Sequence, residues 1–539
     1  MSAAYFQILR KGTSDLPRLK TPFYYSALSR VPDCIWYDIF AFVVDPAQPR
    51  AIYRYATICF YFYHLLRRFP KLWTNVHFYL DLPPVKNPDI QTKPTEQEMI
   101  DTEIRLLRTF AWSCRTVPWS LTVTVKDPSR PLTGRSRNIW DPELKQITAI
   151  CKCLPSLDLS KLTSLRLDLP CLFLLHMMMD RLKLEPLPKL NTLEIIHNYP
   201  QQIAGRAQWK NNPNFQFGLN PVPHCRIKGP ALHRLKINLL CIPRGPCTGL
   251  SSLFSLHITG LRDEQLNRVP ASELVNVLQN LPKLAILDLE GEHDRTARVG
   301  EQPLPLNERI QLPSLSHLRI SRVHPLYLIK IFCYCDAVKL KWIELQGFSD
   351  HDAHDIAYLF SLFNCKRFPS LIRLYLLEVC GEVFQRILPE IPWCQELALL
   401  STLTHCRHCY TVPAITVPPT VNLWEPVADD PSKWYCPKLQ KLLIGGRNPP
   451  WFHLASQEIQ SLVLRRYQSA EEGNGRALEW FHYHEYGNEQ KELTSLELLM
   501  IALVVPVFKI KVHGRPKVAN ASEASAAVGI NPRLLLPHP

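Results

Sequence analysis

The residues best suited to hold an ion stand at His405-Cys406-Arg407-His408-Cys409, where a Cys-x-x-Cys pair is interleaved with two histidines. Thiolate and imidazole are the ligands of a tetrahedral zinc site, and Cys436 could add another thiolate. No second Cys-x-x-Cys pair matches the first, so the segment is expected to be an insertion loop without metal. His351-Asp352 and His354-Asp355 also offer ligand atoms for a hard cation. They fall where a helical period begins, and an acid in a first turn complements the helix dipole, so capping is the expected role. The chain has no Walker loop, no Gly-x-Gly-x-x-Gly, no Gly-x-Ser-x-Gly elbow and no His-Glu-x-x-His. Catalysis has no anchor; the expectation is a binding protein, not an enzyme, with no cofactor.

The elements that carry these residues belong to a large globular chain. Its 539 residues are 46% hydrophobic and 20% charged, enough for an extensive core and more than one folding unit. The formal charge of +14 favours acidic partners. Lys and Arg are nevertheless dispersed; the nearest cluster, Arg67-Arg68 with Lys71, reads as a solvated helix end, and a nucleic-acid patch is not expected. The longest apolar run, 498–508, has 11 residues and contains Pro506, too short for a bilayer. Residues 1–27 show no clear period and no secretory pattern, and read as a leader. Seventeen cysteines, an odd number without repeated spacing, suit reduced packing thiols. A cytoplasmic or nuclear location follows, with no membrane partner.

Folding is expected to begin at Leu28. Pro32 and Asp33 stand at a helix start, followed by Ile35, Ile39, Phe40 and Val43 on one face. After a Pro-containing loop, a second apolar helix runs through Ile52, Tyr55, Ile58, Cys59, Phe62 and Leu65-Leu66, and Phe69-Pro70-Lys71-Leu72-Trp73 closes the unit. So small a bundle, apolar nearly all round its second helix, needs a partner or the following domain to cover it.

These residues carry a resemblance. Val31-Pro32-Asp33 leading to Ile35 and Ile39-Phe40, then Ile58-Cys59-x-x-Phe62, then Leu72-Trp73, resembles the F-box over about 50 residues. The family's Leu-Pro-x-Glu opening, Val-Cys-x-x-Trp centre and terminal Leu-Trp are met here with Val31, Asp33 and Phe62 as departures that keep the physical type. The helix-then-strand stretch 106–123 is similar to the one that follows the F-box in many fungal members. The resemblance implies a three-helix module over 28–80, docking on a Skp-type adaptor, and through it a cullin scaffold, by way of Val31, Pro32, Ile35, Ile39, Phe40, Ile58, Cys59, Phe62, Leu72 and Trp73. The alternative is that 28–80 is a helical cap on a larger fold.

Beyond a linking segment, 81–160, the pattern apolar-x-x-apolar-x-apolar recurs twelve times. Its middle anchors are Leu165, Leu193, Leu235, Leu256, Leu287, Leu318, Ile343, Leu374, Leu397, Leu442, Leu462 and Leu496. Seven copies have a proline five residues before the middle anchor: Pro188, Pro230, Pro282, Pro313, Pro369, Pro392 and Pro437. With 47 prolines in 539 residues, about one would fall there by chance, so the repeat is real. Proline stops a helix and hands on an extended chain. Helical patterns at 273–281, 355–363 and 382–388 precede strands, so helix and strand alternate. Segments 197–229 and 401–435 read as surface insertions, and the chain beyond Phe508 as a frayed tail at 509–539.

A unit this short cannot bury its apolar side alone, so neighbours must stack. The series, 161–508, resembles the leucine-rich repeat family: an α/β solenoid with a parallel sheet on the concave face, holding a protein target. Together the two resemblances imply the substrate-recognition subunit of an SCF-type ubiquitin ligase; the alternative is a leucine-rich-repeat scaffold without a ubiquitin role. Residues after each middle anchor point away from the core. They run Arg166, Glu194, Lys236, His257, Asp288, Arg319, Glu344, Tyr375, Ala398, Leu443, Val463 and Glu497. The apolar stretch, with Trp342, Tyr375, Leu377, Leu400 and Leu443, is the expected target site, unless the 401–435 insertion covers it.

Overall fold

The computed structural model describes residues 31–43, 65–66, 68–81, 101, 104, 108, 116–126, 159–169, 187–197, 231–239, 242, 250–262, 269–292, 309–401, 426–427, 430–446, 456–473, 475–485, 501, 504–512 and 515–517. The chain is α/β with extensive parallel sheet and divides into two compact units, Met1–Leu253 and Phe254–Pro539.

The first unit holds helix α1 (Asp33–Val43) and five parallel strands hydrogen-bonded in chain order: β1 (Asn75–Asp81), β2 (Trp119–Lys126), β3 (Leu162–Leu169), β4 (Thr192–His197) and β5 (Arg234–Asn238). The sheet thus begins inside the expected 28–80 module and continues through the 81–160 segment. The start of β1 repeats the anchor motif as Trp73-x-x-Val76, and both residues are buried. The expected second helix is described only at Leu65 and Leu66, which are helical and buried.

In the second unit, β6 (Ser255–Arg262), β7 (Ile286–Glu292), β9 (His317–Ser321), β11 (Trp342–Gln346), β12 (Arg373–Leu377), β13 (Glu396–Ser401), β16 (Lys441–Gly446), β17 (Trp480–Glu485) and β18 (Val507–Val512) pair in parallel, and β19 (Arg515–Lys517) adds antiparallel. Short β8 (Ile310–Gln311) pairs with β10 (Cys335–Asp336), and β14 (Pro426–Val427) with β15 (Asp430–Trp434). Helices α2 (Ala271–Gln279), α3 (Pro325–Phe332), α4 (Ala353–Leu362), α5 (Gly381–Ile387) and α6 (Ser456–Glu471) occupy the crossovers that parallel strands require. The side of β10 is held by Arg367, whose Nε–H donates to Asp336 at 2.9 Å while NH2 donates to the Phe332 and Cys335 carbonyls.

A tight turn opens six of these strands, β7, β9, β11, β12, β13 and β16. Leu284 N–H donates to Leu281 O at 3.1 Å, Leu315 to Leu312 at 3.2 Å, Leu340 to Ala337 at 3.1 Å, Leu371 to Phe368 at 3.1 Å, Cys394 to Ile391 at 3.0 Å and Leu439 to Cys436 at 3.0 Å. The recurring prolines hold the second position, where their fixed φ suits a turn and no amide is needed. The anchors then stand in register, Leu287, Leu318, Ile343, Leu374, Leu397 and Leu442 side by side and all at most 1% exposed. Every proline-marked copy is a strand. Leu462, which lacks the proline, lies instead in α6: its apolar triplet is part of a 16-residue helix that buries Leu462, Val463, Arg466 and Ser469 at helical spacing. Leu496 and Glu497 lie outside the described residues. The start of the expected frayed tail is corrected, because 509–512 belongs to the strand that pairs with β17 and 515–517 pairs back on it, while 518–539 lies outside the described residues.

Four residues after the anchors Leu256, Leu318, Ile343 and Leu374 the backbone turns left-handed, at Gly260 (φ 73°), Arg322 (φ 51°), Gly347 (φ 74°) and Glu378 (φ 52°). Arg322 crosses Gly347 to reach Glu378 at 3.1 Å; a Cβ on Gly347 would lie 2.6 Å from Arg322 Cγ. Glycine supplies both the positive φ and the clearance.

Candidate functional site

Two surfaces carry the residues singled out in the sequence. The first is α1. It packs inward through Trp36 and Phe40, whose rings stack at 5.8 Å, and is fastened to the following turn by Tyr37 against Phe69 (5.3 Å) and by Arg68 to Asp33 (3.1 Å). Its outer side leaves Ile35 47%, Ile39 41%, Phe42 91% and Val43 43% exposed, with Pro32 exposed and Val31 half-buried beside them. The spacing 35, 39, 42 and 43 is one helical face. Phe42 escaped the sequence reading although the same period contains it.

Two expected adaptor contacts are corrected. Phe40 is 3% exposed because it shares the inner face with Trp36, four residues earlier. Trp73 is 1% exposed because it is the apolar residue that leads into β1, and its indole N–H donates to Leu66 O at 2.8 Å. Leu72 is half-buried, and Ile58, Cys59 and Phe62 lie outside the described residues.

The second surface is the face of the second unit's sheet opposite the anchors. Strand register places His257, Asp288, Arg319, Glu344, Tyr375, Ala398 and Leu443 in one row. Its first part is a chain of charges: His257 Nε2 to Glu290 at 2.8 Å and Nδ1 to Asp288 at 3.7 Å, then Arg319 to Asp288 at 4.0 Å and to Glu344 at 2.8 Å. Next comes an aromatic step, His317 on Trp342 at 5.2 Å and Trp342 on Tyr375 at 4.6 Å. Burial pushes the Tyr375 hydroxyl up and the His317 imidazole down from their ordinary pKa values; Glu396 adds to the first, Arg373 and Lys341 to the second. A second ionic cluster follows: Glu396 is ion-paired with Arg373, whose Nε lies 2.6 Å from Oε2 and whose NH2 donates to Oε1 at 3.4 Å, and it accepts from Lys441 Nζ at 2.7 Å.

The five expected target residues are brought to this one face. Trp342, Tyr375, Leu377, Leu400 and Leu443 are each half-buried, and the Trp342 indole N–H is buried without an acceptor. Ala398 is covered. Val463 is not part of the row, being buried on α6. The ion pairs Arg373–Glu396–Lys441 were not foreseen, since they join residues one position before the anchors on three strands.

Cys406 and Cys409 lie outside the described residues, and among the described residues no group of three His, Cys, Asp or Glu is arranged to hold a metal. Cys436 is buried against Cys394; burial and the thiol–thiol hydrogen bond keep Cys394 protonated. Beside them Arg466 donates to Tyr435 O at 2.8 Å and Cys436 O at 3.3 Å, and burial pushes its guanidinium down to about 10. Asp352 accepts from both Ser349 N and Ser349 Oγ at 2.9 Å, the return half of a capping box.

No helix among the described residues is long and apolar enough to cross a membrane. A scan against protein-family models matches none to this chain, and a search of curated proteins finds no match either.

Proposed function

We propose that the chain is a substrate receptor: an F-box-like N-terminal module docks a Skp-type adaptor of an SCF-type ubiquitin ligase, and a leucine-rich-repeat solenoid holds a protein target. The observation that carries this reading is α1, a short helix already packed through Trp36 and Phe40 that presents Ile35, Ile39, Phe42 and Val43 to solvent. Contiguous apolar surface of that kind on a small element marks a protein-binding site. The repeated strands support the second half of the reading, since stacked units build a long sheet face with an aromatic step on it. The receptor makes no bonds itself. Tethering raises the effective concentration of target lysines at the active site of another subunit.

The test is co-purification and titration with a Skp-type adaptor. Because Ile35 and Ile39 are exposed, the double Ile35→Ala, Ile39→Ala variant folds like the parent. Loss of two buried aliphatic contacts at an interface lowers adaptor affinity about a hundredfold or more. Unchanged adaptor binding by that variant rules the assignment out.

A further inference from the structure

The turns that open the strands of the second unit form an edge of their own. Their third positions carry Lys283 before β7, Ser314 before β9, Lys339 before β11, Ser370 before β12, Trp393 before β13 and Lys438 before β16, and Lys341 follows directly after the turn that holds Lys339. The anchors are in register, so these turn tips are in register as well. Lys283, Lys339, Lys341 and Lys438 are exposed, and none makes an ion pair with a described residue. The six turns, 281–284, 312–315, 337–340, 368–371, 391–394 and 436–439, contain no Asp or Glu. The carboxylates that flank them are engaged or withdrawn: Asp336 with Arg367, Glu396 with Arg373 and Lys441, and Glu390 half-buried. Exposed proline and valine, Pro282, Pro313, Val338, Pro369 and Pro392, make the rest of the edge stiff and apolar.

We propose that this edge docks an extended acidic polypeptide segment. The spacing sets the chemistry. Adjacent strands lie about 4.8 Å apart, so two steps put Lys283 about 10 Å from Lys339 and three more put Lys438 about 14 Å further. An extended chain advances about 3.3 Å per residue, and carboxylates three or four residues apart meet those lysines in turn. A nucleic acid fits less well: duplex DNA carries a charge per about 1.7 Å, about 14 phosphates over this length against four lysines. Pre-ordered turns reduce the entropy lost on docking.

The inference rests on the reading that this unit holds a target, and it identifies the chemistry of that target. The experiment titrates the full chain by fluorescence anisotropy at low salt with a labelled 18-residue peptide of repeated Asp-Gly-Ser. Controls are the Asn-Gly-Ser peptide, a peptide with the same aspartates grouped together, and a short DNA duplex. The spaced acidic peptide binds best, added salt weakens it, and combining Lys283→Gln, Lys339→Gln, Lys341→Gln and Lys438→Gln weakens it about thirtyfold. The same variant keeps its adaptor affinity. Equal affinity of the quadruple variant and the parent, preference for the grouped peptide, or tighter binding of DNA overturns the proposal. Lost adaptor docking with peptide binding intact would instead remove the ubiquitin-ligase reading alone.

Discussion

Helix α1 and the strand anchors of the second unit are made of the same residue types and end in opposite environments. Ile35, Ile39 and Phe42 are between 41% and 91% exposed, whereas Leu287, Ile343 and Leu374 are at 0%. The difference lies in what surrounds them. An anchor has a leucine or isoleucine anchor beside it on each flanking strand, so every repeat closes the one before. A lone helix has one inner side to bury, and Trp36 with Phe40 already fills it. Apolar content alone therefore does not separate core from docking surface; repetition does.

The sharpest way to break this contrast is paired truncation. Leu374→Ala opens a cavity between stacked strands and lowers stability by about 2–5 kcal/mol in chemical denaturation. Phe42→Ser changes stability by less than about 0.5 kcal/mol. Equal effects would mean that α1 is part of the core. Next in size is Gly347→Ala, which forces a Cβ into positive φ and against Arg322; a loss of about 1–3 kcal/mol is expected, and a neutral result would show that the Arg322–Glu378 bridge is not formed.

The smallest effect is a pH dependence. Burial, with Arg373 and Lys341 nearby, holds the His317 imidazole below its ordinary pKa. The unfolded chain then takes up the proton more readily than the folded one. His317 contributes its stability in full above pH about 6.5, and that contribution is lost as pH falls toward the folded value. The fall in Tm between pH 7 and pH 5 is accordingly shallower in His317→Asn than in the parent. Parallel slopes would place the ring in solvent and make the aromatic step as open as α1.

Much of the strand framework was legible because proline reports a backbone requirement directly: wherever it precedes an anchor by five residues, a turn and a strand follow. Copies without it were ambiguous, and Leu462 went to a helix since an apolar triplet satisfies either period. Strand β17, reading Leu478-x-x-Phe481-x-Tyr483, and β1, with Trp73-x-x-Val76, obey the same motif with aromatic or β-branched anchors that a search centred on leucine passes over. Helix α3 was missed although Pro325 stands at its first turn, behind the cap of His324. In the N-terminal module the period placed Ile35 and Ile39 correctly on one face, yet it could not say that Phe40 belongs with Trp36 on the other side, because two adjacent faces of a short apolar helix read alike.

Local chemistry along the chain determined where strands begin, which leucines point inward and which residues share the opposite face, since period, proline and turn geometry act within a few residues. Only the tertiary structure decided which charges meet. Lys283, Lys339 and Lys438, far apart in sequence, stand along one edge because parallel register stacks every turn on the last, and the nearby carboxylates Asp336 and Glu396 are held by Arg367, Arg373 and Lys441. Ion pairing depends on distance in space, and sequence spacing carries that distance only after the sheet has formed.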